Sequence, residues 1–117
     1  MRGALLVVAL AALGCAGPES FVATGGNAAR GRRVMETAGC GACHMIPGVR
    51  RARGVLAAPL TGFARRSFIG GEVPNTPDNL IAWLRDPRSV EPRTAMPNVG
   101  LSERQARDVA AYLYELR

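Results

Sequence analysis

The sequence predicts an all-α domain of three main helices joined by long loops, with room between them for a bound group. Three observations carry this. Segments beginning at Asn27, Thr76 and Ser102 each pair a helix-capping residue with apolar residues at helical spacing. The stretches between them are rich in Gly and Pro and lack the alternation of a strand. Two cysteines and a histidine fall within five residues, in a chain with three cysteines and one histidine in all.

Those five residues, Cys40-Gly41-Ala42-Cys43-His44, form a C-x-x-C-H motif, the attachment site of a c-type haem. On a helical turn the two sulfurs lie to one side, where each can form a thioether to a vinyl group of one porphyrin. The next residue, His44, then offers an imidazole nitrogen to the iron. A redox C-x-x-C pair would sit in a βαβ pattern, of which there is no sign. A Cys₄ or Cys₂His₂ zinc site needs ligands this chain lacks.

Composition bounds the rest. The chain has 117 residues, which leaves one small domain of roughly ninety once a leader and tether are set aside. A domain of that size buries a modest core of its own, so folding should depend on the haem. All fifteen basic residues are arginine and the net charge is +6. That suits redox partners with acidic docking surfaces, or an anionic membrane surface. An arginine-biased genome, with two haem propionates offsetting part of the charge, accounts for it equally well. Nucleic acid is not indicated, because the arginines are scattered and no helix carries a continuous basic stripe.

Met1-Arg2-Gly3 and the apolar run from Ala4 to Leu13 have the form of a signal peptide over residues 1–15, too short for an ordinary spanning helix. Export follows. Ala12-Leu13-Gly14-Cys15 also fits a bacterial lipoprotein site, which would lipidate Cys15 and anchor the protein on the periplasmic side of a membrane. The other reading is cleavage after Ala16. With Cys40 and Cys43 taken by haem, Cys15 would be an odd exposed thiol unless it is lipidated or removed. Residues 16–26 lack periodicity and read as a flexible tether leading to a domain over 27–117.

Within that domain Asn27 caps a helix to about Ala38, and Gly31 in its interior suggests close approach by another helix. Residues 45–60 read as a loop around one haem edge, where a backbone carbonyl near Pro59 can accept the second ring N–H of His44. Arg65 or Arg66 can pair a propionate. Gly70-Gly71 marks a turn, and Thr76-Pro77-Asp78 starts a helix that Asp86-Pro87 ends. Trp83 in that helix reads as a haem-packing residue. Residues 87–100 read as irregular. With no second histidine, a methionine sulfur is the natural sixth ligand; Met45 adjoins His44, Met35 is on the first helix, and Met96, held before Pro97, is the best placed. Ser102 and Gln105 open a last helix by a capping box, its apolar face directed to Gly31 and Met35. No repeats and no strands of note are expected.

Taken together, Gly31 to Met35, Cys40 to His44, Pro59 to Gly62, Asn79 to Pro87, the run from Pro92 to Pro97 and the final helix resemble a class I monohaem cytochrome c. The stretches from Leu60 to Arg66 and from Pro74 to Pro87 are similar to the haem domain of bacterial haem-copper oxidase subunit II. The resemblance implies crossed first and last helices, loops wrapped around one covalently bound haem, and His44 and Met96 as axial ligands. It also implies that Thr94 and Trp83 lie near a propionate and the methionine side of the haem. Two departures stand out: Pro59 is displaced by one from the usual proline position, and Met35 replaces the usual aromatic.

The function expected is an exported electron carrier, not itself an enzyme, cycling one low-spin haem c with no small-molecule substrate. Two other readings stay open: a haem subunit of a larger oxidase or dehydrogenase, and a peroxide- or gas-reactive protein if Met96 dissociates. A missing distal histidine weighs against the second.

Overall fold

The computed structural model describes residues 22–117, and within them each main helix begins where a capping side chain takes up a free backbone N–H. Asn27 Oδ1 accepts from Arg30 N at 2.9 Å at the head of α1 (Ala28–Thr37). Thr76 Oγ1 accepts from Asn79 N at 3.3 Å at the head of α2 (Pro77–Arg85). Asp86 ends α2, but Pro87 opens a further single turn, α3 (Pro87–Val90), in the stretch expected to be irregular. Proline has no N–H to leave unpaired at a first helical position, so it starts a helix as readily as it stops one. The last helix, α4 (Glu103–Leu113), opens on the predicted capping box, Gln105 N donating to Ser102 Oγ at 3.2 Å and Ser102 N to Gln105 Oε1 at 3.0 Å. Three main helices therefore stand as expected, each cap contributing about 1 kcal/mol.

A small hairpin is the other addition. Strands β1 (Phe68–Ile69) and β2 (Val73–Pro74) pair antiparallel, Ile69 opposite Val73, across the Gly70-Gly71 turn. Two-residue strands are too short to show alternation, so no strand was legible there. Asn75 fastens the hairpin to the body: its Nδ2 donates to the carbonyls of Phe63 and Arg66, and its Oδ1 accepts from the Tyr114 hydroxyl at 2.9 Å. Burial pushes that phenol up to about 12.

Helices α1 and α4 cross at Gly31. A Cβ there would overlap the Asp108 carbonyl and lie 2.8 Å from Val109 N, so only glycine lets the backbones meet. Met35, Ala106, Val109 and Leu113 are buried in the same core, to which Ile46, Leu60, Phe63, Leu80 and Trp83 also belong. Met35, the methionine where an aromatic is usual, is 2 % exposed, so its sulfur is spent inside the core.

An ion pair locks the crossing. Asp108, buried on α4, accepts from Arg30 Nε and Nη2 at 2.9 Å each and from the backbone N of Asn27 at 2.7 Å. Just upstream, the buried Thr24 donates its hydroxyl to the Arg107 carbonyl at 3.1 Å, and Arg107 Nη1 donates back to the Thr24 carbonyl at 3.0 Å. The last residues of the stretch expected to be tether, from Thr24 to Gly26, thus lie against α4. Glycine and threonine serve close packing here as well as they serve a linker. Cys15, the leader over 1–15 and the tether from 16 to 21 lie outside the described residues.

Candidate functional site

Residues 40–60 build one wall of the site from backbone bonds. Cys40–Ala42 form a single 3-10 turn behind Gly39, whose φ of +82° is open to glycine, and His44 N donates to Cys40 O at 3.0 Å. The chain then doubles back: Met45 bridges Arg53, Gly54 N donates to Gly41 O and His44 O at 3.0 and 3.2 Å, and Ala57 N to Cys43 O at 2.9 Å. Gly54 is where this return strand touches the motif, for a Cβ there would sit 2.7 Å from Ala42 O. Tyr112 on α4 ties the loop to the helices, donating its hydroxyl to Pro47 O at 2.6 Å.

The two cysteines are free thiols, each partly exposed, and burial pushes the Cys40 thiol up. His44 Nδ1 lies 2.7 Å from the Ala58 carbonyl. A carbonyl can only accept, so Nδ1 carries a proton, and in the neutral ring Nε2 is the nitrogen left with a lone pair. The acceptor is thus the residue before Pro59. Pro59 instead gives its carbonyl to an Arg66 Nη2–H, and that guanidinium also stands 5.6 Å over the Phe63 ring. The Arg65 side chain remains exposed, with no hydrogen bond or ion pair to another of the described residues.

A second group gathers around Met96. Trp83, 8 % exposed on α2, donates its indole N–H to Met96 Sδ at 3.0 Å, and Met96 N donates to Thr94 Oγ1 at 3.2 Å. Met96 and Cys40 both lean on the same apolar core. The structure therefore gathers Cys40, Cys43 and His44 with the Ala58 carbonyl in one group and Trp83, Thr94 and Met96 in another, the two meeting the same apolar core. Arg65 joins neither.

The donor set fits a covalently held haem. Two unpaired cysteines, an imidazole presenting Nε2 and a thioether sulfur held by a hydrogen bond are the side chains such a group uses. Among the described residues no group of three or more His, Cys, Asp or Glu could hold a bare metal ion. Sequence reasoning placed the histidine acceptor near Pro59 but not at Ala58, and gave no sign of the indole-to-sulfur bond. The spacing of Trp83 marks only a buried face.

Comparison with known proteins agrees. A model of the family described as Cytochrome c matches residues 28–117. The chain is 36 % identical over 89 residues to cytochrome c oxidase subunit 2 of Alkalihalophilus pseudofirmus, covering 75 % of this chain and 25 % of that protein. It is 39 % identical over 87 residues to a nitric oxide reductase subunit of Stutzerimonas stutzeri, covering 72 % of this chain and 54 % of the relative. Cytochrome c oxidase subunit 2 of Bacillus subtilis is 30 % identical over 94 residues, 77 % of this chain and 26 % of its own length. The chain thus spans about a quarter of the oxidase subunits and about half of the reductase subunit. It belongs to the cytochrome c family, which implies a covalently bound haem c and haem-based electron transfer.

Proposed function

We propose that this chain is an exported single-electron carrier, with one low-spin haem c bound through Cys40 and Cys43 and ligated by His44 and Met96. The observation that carries the reading is the 2.7 Å bond from His44 Nδ1 to the Ala58 carbonyl beside two free cysteines. Haem c, when bound, supplies the ferric–ferrous couple. The chain's residues do the rest. Ala58 holds the Nδ1 proton, orients the ring and raises the basicity of Nε2. Trp83 and Thr94 hold the Met96 sulfur and its backbone in one position, so little has to move when the charge changes. The buried shell of Ile46, Leu60, Leu80 and Leu84 keeps water out.

With His44 and Met96 both committed to the iron, the group would exchange electrons without binding a substrate. A role as a haem subunit of a larger complex is the second reading, and it is favoured by the relatives, which are named as subunits of an oxidase and a reductase. Export and a lipid anchor at Cys15 belong to the same proposal, and the mass of the mature N-terminus tests them. Among the described residues no helix is long and apolar enough to cross a membrane.

The test is the visible and near-infrared spectrum of protein made in a haem-c-competent host, as wild type and as Met96→Ala. A sulfur-to-iron charge-transfer band in the ferric wild type, lost in the variant, is the expected result. A high-spin wild type that takes up carbon monoxide rapidly when reduced would overturn it and bring the gas- or peroxide-reactive reading forward. Recovery only with other subunits in detergent would mark the subunit role.

A further inference from the structure

Trp83 is the single tryptophan of the chain, and the two ends of its ring system touch different parts of the molecule. At the pyrrole end the N–H donates to Met96 Sδ at 3.0 Å. At the benzo end lies the turn of the hairpin. A Cβ on Gly70 would sit 2.6 Å from Trp83 Cη2 and 3.2 Å from Cζ2 and Cζ3, so the glycine backbone rests directly on the ring. Gly70 also holds a left-handed φ of +59°, and a residue without a side chain meets both demands at once. Beyond the turn is solvent: Gly70, Gly71 and Glu72 are exposed, and a Cβ on Gly71 would meet nothing within 4 Å. Both ends are fixed in place. Trp83 stands among buried residues of α2, while Ile69, 3 % exposed, and the bond from Glu72 N to Ile69 O at 3.0 Å hold the turn.

From this we propose that Trp83 is an electron bridge between Met96 Sδ and the Gly70-Gly71 turn, giving the iron a route to the surface on its methionine side. The inference rests on the His44 and Met96 ligation proposed above and names the residue that couples it to a second face. One electron leaves ferrous iron, which becomes ferric, and reaches a one-electron oxidant at the turn, such as the metal centre of a partner protein. The indole is not itself oxidised. Electronic coupling weakens steeply at each gap between atoms that are not bonded, and here only two such contacts bracket one continuous π system. The bare glycine turn then lets an oxidant come close to the ring. Tyr112 and Tyr114 make no comparable bridge, since their hydroxyls donate to Pro47 O and Asn75 Oδ1. A haem subunit that relays electrons has to take them at one face and release them at another, and this route supplies the second face.

The experiment uses haem-loaded protein carrying a ruthenium bipyridyl label on Glu72→Cys, beside the turn, or on Arg33→Cys, exposed on α1, as the control. Light excites the Ru(II) label, which gives one electron to hexaammineruthenium(III) in solution; the Ru(III) left on the protein then takes one electron from ferrous iron. Trp83→Leu is expected to slow this last step severalfold from the Glu72 position, after correction for the change in potential, and to leave the Arg33 position unchanged. Equal rates with and without the indole, or equal slowing from both positions, would overturn the bridge. Where Trp83→Leu loses the sulfur-to-iron band, Trp83→Phe, which keeps a ring but not the N–H contact, carries the same comparison. A second readout needs no variant and no electron transfer. In ferric wild type with the indole labelled in nitrogen-15, electron–nuclear double resonance should show an isotropic hyperfine coupling at Nε1, the mark of spin density passed through the sulfur. A purely dipolar coupling would overturn the bridge. Failure of these readouts in protein with an intact sulfur-to-iron band refutes the bridge alone, whereas a wild type without that band refutes the ligation and the bridge with it.

Discussion

Replacing Gly31 by alanine sets two terms of opposite sign against each other. In an isolated helix the change favours α1 by about 1 kcal/mol, because glycine loses more backbone entropy than alanine. In this fold the added Cβ would lie 2.8 Å from Val109 N and closer still to the Asp108 carbonyl. Ordinary contact for such atoms is about 3.5 Å, so α1 and α4 have to part by at least about 0.7 Å. Backbone cannot rotate away as a side-chain tip can. Strain from overpacking is about 1–3 kcal/mol, and here it falls at the upper end. The separation also stretches the bonds from Arg30 and Asn27 to Asp108, which are 2.7–2.9 Å long. The net expectation is a loss of about 1–2 kcal/mol, or a Tm lower by about 5–15 °C for a domain of this size. Thermal unfolding of haem-loaded protein, followed by far-ultraviolet circular dichroism, reads it directly. A Tm raised by about 5 °C, as propensity alone predicts, would refute the reasoning.

Two more outcomes follow from the polar contacts. Trp83→Phe keeps the ring but removes the N–H that reaches Met96 Sδ; a hydrogen bond of about 1 kcal/mol corresponds to about 40 mV for one electron. With Met96 on the iron as proposed, that N–H would draw density from the sulfur and disfavour the ferric state, so the potential of the variant should fall by tens of millivolts with the sulfur-to-iron band retained; a potential unchanged or raised would remove the role given to the indole. Asp108 is the acid-sensitive lock: the Arg30 guanidinium hydrogen-bonded to it, then the Asn27 N–H and the charges of Arg30 and Arg104, hold its carboxyl below the usual range, against the opposing effect of burial. A carboxyl depressed on folding stabilises fully above its unfolded value of about 3.9 and loses that contribution as pH falls through the lower folded value. Wild type should thus be flat in stability from neutrality to about pH 4 and fall below it, while Asp108→Asn is weaker at neutral pH and less steep in acid; parallel curves in urea titrations at pH 7 and pH 3 would exclude this ion pair as the cause.

What the sequence made legible divides by distance along the chain. The caps at Asn27, Thr76 and Ser102 bond to residues three positions on, and the C-x-x-C-H motif is contiguous, so both are written in local spacing. Gly31 was legible as a close approach because an interior glycine is unfavourable in a helix unless something compensates. The lock residues were not. Thr24, Asp108 and Tyr112 reach partners 83, 81 and 65 residues away, and a polar side chain on a helix shows no sign in its spacing of whether its partner is water or another helix. Thr24 and Gly26 have the composition of a linker but pack against the backbone of α4 at Arg107 and Asp108.

The same division runs through the site itself. His44 is announced by its two cysteines, because the chemistry of one porphyrin confines all three to five residues. Its acceptor is not, because which carbonyl meets Nδ1 depends on how many residues the loop from Met45 to Leu60 takes to turn. In this chain that number puts Ala58, not Pro59, within 2.7 Å, and Pro59 O is left for Arg66. A proline one position out of place therefore costs the histidine nothing, since the bond is made by backbone and any residue in that geometry can make it. Met96 is the opposite case. Its hydrogen bond comes from the Trp83 side chain, thirteen residues back and across the break at Asp86-Pro87, and no backbone group can replace it. Substitutions along the loop should leave the histidine side of the site intact as long as the turn length is kept, whereas the methionine side depends on the identity of a single indole.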